Sequence, residues 1–187
     1  MKKPTLAAAA LAAAALLAGP AAAQIPHLTP FAFEGRAGIA VPTGDLGDVA
    51  KNGVSFGGSI TYHALPIIGI YAGGSLAQMS GEGGGDFKDA GLELGARIGI
   101  PTPLIPIDPW IRAGAVFHQL ELSGAGAGDF DDWGVGYEVG AGLGFGFGPL
   151  SLTPGVTWVS YKVDGGTSAT ELTATSVRAE IGVRIRL

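Results

Sequence analysis

The chain has no cysteine. Disulfides, thiolate metal sites and cysteine-linked lipid attachment are excluded, so the fold must hold by packing and hydrogen bonding alone. Charge is also scarce. Asp, Glu, Lys and Arg make up 14% of the 187 residues, where a soluble domain carries about 25%. After the N-terminus only Lys51, Lys88 and Lys162 supply ammonium groups. The formal charge is −5 and no basic patch is present, which argues against nucleic acid as a partner. Past the first residues no apolar run approaches the ~18 that a membrane helix needs. Glycine, by contrast, is plentiful at 33 residues, against an average usage of about 7%. The glycines follow no Gly-X-Y period and sit inside alternating segments, so neither collagen nor disorder fits.

The first residues have the order of an export signal. Lys2 and Lys3 precede an alanine-rich run with Leu6, Leu11, Leu16 and Leu17. Pro20 breaks it, and Ala21-Ala22-Ala23 supplies the small residues of a cleavage site. We expect residues 1–23 to be a signal peptide cut after Ala23; the alternative is an uncleaved anchor. Without Lys2 and Lys3 the formal charge becomes −7. Residues 24–32 read as a periplasmic leader and 33–187 as one domain.

The pattern that organises this domain is clearest from Val135 to Phe147. Val135, Tyr137, Val139, Ala141, Leu143, Phe145 and Phe147 occupy one phase. Glycines and Glu138 occupy the other. Side chains alternate faces along a strand, so this is a ribbon with one apolar face. Comparable alternation starts at Phe31, Val54, Ile68, Ala90, Ile111, Leu150 and Ser176. The phase blurs at Gln119–Leu122, where a bulge or a departure from the membrane is expected. Pro154 removes a ladder donor, so a bulge is expected there too. About eight strands result. Their connections alternate between short or proline-rich segments (Leu65-Pro66, Pro101–Pro109, Gly148-Pro149) and glycine-rich polar loops. The expected fold is all-β: an eight-stranded antiparallel up-and-down transmembrane β-barrel, with short turns on the periplasmic side and longer loops outside.

Alternation alone does not say which face is inside. A soluble lipocalin-like barrel would bury the apolar row. Its surface would then be glycine, serine and a few arginines. The inverted arrangement puts the apolar row against lipid. Tyr62, Tyr137, Trp158, Trp110 and Trp133 would then lie in aromatic girdles. The chain resembles the small outer-membrane barrels of the OmpA/OmpX type, taken as the barrel domain without the peptidoglycan-binding domain of longer members. The residues that carry this are Gly38–Asp45, Phe56-Gly57-Gly58 and the C-terminal stretch Glu180–Leu187. In that stretch Glu180, Gly182, Ile185 and Leu187 match the ending read by the outer-membrane assembly machinery. Leu187 stands where the family usually has Phe or Trp. The resemblance implies an integral outer-membrane protein in the cell envelope, in contact with outer-membrane lipids and lipopolysaccharide. It further implies delivery by periplasmic chaperones to the barrel-assembly machinery, and a monomer.

The lumen phase collects Glu34, Glu93, Glu138 and Glu180 with Arg36, Arg97, Arg112, Arg178, Arg184 and Arg186. Opposite charges in a narrow barrel should pair, because an unpaired buried charge is costly. These residues read as a plug; the same residues could line a gate or narrow ion path. His118 and Glu138 would face each other if the fifth and sixth strands form a hairpin centred near Gly128. Such a pair occurs in hydrolases, including lipid A-modifying barrels, but no serine stands out beside it. The loops offer Asp45 and Asp48, Glu82 and Asp86, and Asp129, Asp131 and Asp132. A divalent cation could bridge them to lipopolysaccharide, although none has calcium-loop spacing. No cofactor and no catalytic role is expected. The expected function is structural or surface-interaction work, with a small pore or hydrophobic-solute channel as the alternative.

Overall fold

The computed structural model describes residues 30–187 apart from 66, 82–83, 101, 103–106, 124–129 and 165–170. The expected signal peptide, most of the leader, Pro66, Glu82, Pro101, Gly128 and Asp129 lie outside the described residues. Eight strands follow one another: β1 (Phe31–Thr43), β2 (Gly53–His63), β3 (Ile68–Ser80), β4 (Asp86–Gly99), β5 (Ile107–Ser123), β6 (Phe130–Phe147), β7 (Leu150–Asp164) and β8 (Glu171–Arg186). Each pairs antiparallel with its neighbour in sequence, and β8 closes on β1 to complete a barrel. Phe31 and Ala32 already belong to β1, so the barrel takes in the last residues of the expected leader.

The registers fix the geometry. Pairing partners lead from Phe31 through Tyr62, Ile70, Ala96, Ala113, Val139, Trp158 and Val177 back to β1 at Val41. The circuit returns ten residues further along the same strand. An even stagger keeps every residue of the circuit on one face, and it tilts the strands as closure requires.

Burial decides which solvent each face meets. Leu92, Leu94, Ile111, Val139, Val156, Ile181 and Val183 are exposed, whereas Glu34, Arg36, Glu93, Arg112, Glu138 and Arg178 are buried. Apolar side chains outside and charges inside suit a barrel solvated by lipid, and they rule out the lipocalin-like arrangement at this level. Tyr62 meets Phe31 in a tilted contact, with ring centroids 5.3 Å apart, near the end that carries both termini. Tyr137 and Trp158 meet edge to face, also at 5.3 Å, towards the opposite end. Trp133 is exposed as well. Trp110 is the exception. It is buried and points inward, as its shared phase with Arg112 requires.

The blur at Gln119–Leu122 is no bulge. β5 keeps one register with β4 as far as Ser123 and with β6 as far as Leu122. What changes is the polarity of the faces. Leu120 is buried inside, while outside Gln119 donates to Asp131 at 2.6 Å and Lys88 pairs with Glu121 at 2.8 Å. β5 and β6, with 17 and 18 residues, exceed the ~9–11 that cross a bilayer. Their far ends stand in water, and there the pattern inverts to that of a soluble barrel. Pro154 makes no bulge either. It leaves β6 unpaired at Leu143 and Gly144, but the register is the same on both sides of the gap and β8 pairs straight through. Gly148, at φ +68°, makes the two-residue turn between β6 and β7, a backbone state glycine adopts without strain.

Candidate functional site

The lumen holds two layers of different chemistry. The first, from the termini end to the middle of the barrel, is ionic. Arg97 donates to Glu34 at 2.5 Å and lies 4.3 Å above the Trp110 ring. Arg36 donates to Glu93 at 2.8 Å and sits 3.6 Å from Glu180. Arg112 bonds Glu138 at 3.1 Å and Thr157 at 3.0 Å, and the Tyr71 hydroxyl donates to the other Glu138 oxygen. Above them Arg178 donates to Ser75 at 2.7 Å and to Asp89 at 2.8 Å, with Glu93 3.9 Å away. Several of these links span the barrel, from β1 or β8 to β3 or β4. Burial in low dielectric makes each partner indispensable to the other, since a lone charge there would be very costly.

His118 and Glu138 are not partners. His118 pairs with Gly134, and Glu138 with Gly114. The hairpin is centred nearer the β5 side than expected, and the slip preserves the face because it is even. His118 instead sets Nδ1 2.5 Å from Asp89 and Nε2 3.5 Å from Ser75. Serine, imidazole and carboxylate thus stand in the order of a hydrolase triad. All three are buried, and Arg178 binds both the serine oxygen and the carboxylate. Asp89, which holds the layer together, lies just ahead of Ala90, where the alternation of β4 is first read from the sequence. Extending the β4 phase from Glu93 through Gly91 would have placed it inside.

The second layer is apolar and closes the loop end. Met79, Phe87, Val116, Leu120, Val159, Val163 and Ala174 pack in the lumen with Tyr161. The first loop completes this layer. Gly44, at φ +58°, opens a 3-10 turn over Gly44–Leu46 that drops Leu46 into the mouth, where it is 1% exposed. Lys51 N–H then donates to the Ser80 carbonyl at 2.7 Å, fastening the loop to β3. A loop read from sequence as merely polar is therefore a stopper.

The inward glycines make room for side chains from other strands. A Cβ added at Gly155 would lie 2.5 Å from the Trp110 ring and 3.0 Å from the Ala141 carbonyl, and one at Gly142 equally close to that ring. Tyr71 lies in the same way against Gly95 and Gly114. Gly155→Ala should cost about 1–3 kcal/mol by overpacking. Urea unfolding from lipid vesicles measures it, with Gly146→Ala, where no atom lies within 4 Å, as a control near zero.

The remaining candidates are placed as follows. Glu180 faces the lumen beside Arg36, and Gly182 lies beneath Arg36, whose Cγ would be 3.3 Å from an added Cβ. Ile185 and Leu187 face outward, and the Leu187 N–H donates to Phe31 at 3.1 Å. Arg186 is exposed at the rim, 3.9 Å from Asp108. Arg184 is buried at the same mouth and reaches His63. Among the described residues no group of three or more His, Asp or Glu could hold a metal ion.

Solved structures of small barrels share this architecture. Neisserial surface protein A aligns with a TM-score of 0.71 and 20% identity, over 85% of this chain and 98% of its own. The N-terminal β-barrel domain of Pseudomonas aeruginosa OprF aligns at 0.54 with 14% identity, over 84% and 98%. Ail, the attachment invasion locus protein of Yersinia pestis, aligns at 0.51 with 18% identity, over 84% and 100%. At these identities the likeness is one of fold. Comparison with curated proteins gives no significant match. Residues 8–149 match the family model for the outer membrane protein beta-barrel domain, and the chain belongs to that family.

Proposed function

We propose that this protein is a sealed outer-membrane barrel whose work is structural and surface-directed: it braces the envelope and presents its loops. The observation that carries this reading is the double closure of the lumen. Ion pairs fill one half, and an apolar layer capped by Leu46 fills the other. The family supports placement in the outer membrane. In this reading the termini and short turns face the periplasm and the acidic loops face outward, against lipopolysaccharide. Glu180, Gly182, Ile185 and Leu187 serve assembly by the barrel machinery, and the protein acts as a monomer. The Ser75–His118–Asp89 arrangement is a structural hydrogen-bond chain, not a reaction centre.

The test is conductance. Refolded protein in planar bilayers should give no discrete current steps, and liposomes carrying it should not swell in small sugars. Stable, reproducible steps from the unaltered chain would overturn the sealed reading and favour a small pore.

A further inference from the structure

At the end that carries the termini, the lumen opens into a cavity of about 170 Å³ lined by Arg97, Arg184, Arg186, His63, Asp108 and Gly99 with Ile67. Three guanidinium groups meet one carboxylate side chain there. Arg97 is answered by Glu34 at 2.5 Å, and Arg186 lies 3.9 Å from Asp108. Arg184 remains. It is 6% exposed, and among the described residues no carboxylate stands within ion-pair distance of it.

The hydrogen-bond partner of Arg184 is an imidazole. Nη2 lies 2.6 Å from His63 Nε2. Arginine can only donate, so Nε2 accepts and the ring proton sits on Nδ1. Nδ1 in turn faces the Pro30 carbonyl at 3.2 Å. His63 therefore orients the guanidinium without neutralising it. The Nε atoms of Arg184 and Arg97 are buried without hydrogen-bond partners. Arg184 thus has only the more distant charges of Glu34 and Asp108 to balance it, and a cation-rich cavity in front of it suits an anion from outside the fold.

We infer that this mouth is a binding site for a phosphate-class oxyanion, with Arg184 as its central ligand and Arg186 as the outer cation. A guanidinium offers a planar fork of donors that matches two oxygens of a phosphate at once. The cavity holds the volume of several waters, each about 30 Å³ in the liquid, which suffices for one phosphate group. The group could belong to free phosphate or to an anionic lipid headgroup bending over the rim.

The full chain refolded in uncharged detergent micelles can be titrated with inorganic phosphate, with chloride at matched ionic strength as the reference. The His63 ring resonance in NMR reports binding in every variant. It should shift saturably with phosphate and not with chloride. Arg184→Gln should weaken the response about tenfold or more, as loss of one charge-assisted hydrogen bond implies. If that variant does not fold, Arg186→Gln at the exposed rim should still weaken it several-fold. Lys88→Gln, at the far end, should leave it unchanged. A second arm uses nanodiscs of phosphatidylglycerol or phosphatidylcholine without free phosphate. The same shift in phosphatidylglycerol alone assigns the lipid headgroup as source, and a shift with inorganic phosphate alone assigns the soluble anion. No saturable shift in either arm, or an undiminished one in both arginine variants, overturns the site.

Discussion

Arg178→Met should lower the unfolding free energy of the barrel by about 3–5 kcal/mol, the cost of stranding a buried partner. Arg178 is 1% exposed, and it is the cation that holds Asp89 at 2.8 Å with Glu93 at 3.9 Å. Methionine fills much of the same space, so the loss is electrostatic rather than a cavity effect. Asp89 and Glu93 would then lose the one cation they share, and the Ser75 oxygen would lose its donor. Urea unfolding from vesicles, followed by tryptophan fluorescence, gives the number. Adding Asp89→Asn to Arg178→Met should recover part of the loss, a non-additivity expected only of groups in one network. Lys88→Met breaks an exposed pair and should change stability by about 1 kcal/mol or less. If Arg178→Met and Lys88→Met behave alike, the ionic layer is not a structural unit.

Leu46→Ala should produce the second large effect, about 2–5 kcal/mol for emptying a buried leucine site. The loss falls on the loop end, because Leu46 packs there against the apolar layer. Two readouts separate local from global damage. Protease added on the loop side should cut between Gly44 and Asn52 much faster than in the parent, while heat-modifiable gel mobility still reports a closed barrel. Conductance should stay absent, since the ionic layer lies below the stopper. Unchanged cleavage and unchanged stability together would show that the first loop does not seal the mouth.

Much of this architecture is legible in the sequence, for a definite reason. Lipid and lumen demand opposite chemistry from alternate residues, so the faces of β1, β2, β3 and the core of β6 can be read by parity. Glu34, Arg36, Glu93, Arg97, Arg112, Glu138, Arg178 and Glu180 follow from that parity and are indeed inside. The misreadings arise where the solvent changes or where parity says nothing. Beyond the membrane the faces exchange roles, so Gln119–Leu122 looks irregular and Asp86–Lys88 looks like loop. Hairpin register is set by loop length, and an even slip is invisible to alternation, so the sequence does not distinguish Glu138 from Gly134 as the residue opposite His118. Trp110 shows the reverse error. Its position near a strand end points to the interface, but its parity with Arg112 places it within. Leu46 carries no periodic signal, because its burial depends on a turn that only the closed barrel can receive.

The seam between β1 and β8 joins residues that are almost a full chain apart, and closing so long a loop is the entropically dearest step of assembly. The ionic layer makes that step self-checking. Arg36 on β1 and Arg178 on β8 find Glu93 and Asp89 only on β4, at the opposite wall. An open or partly paired sheet leaves these arginines without their partners on β4, and a one-residue slip at the seam would require the inward side chains of one of the two strands to turn into lipid. These cross-barrel links therefore act as proofreading: unlike Arg112–Glu138, which joins neighbouring strands, they reward only the correctly closed cylinder.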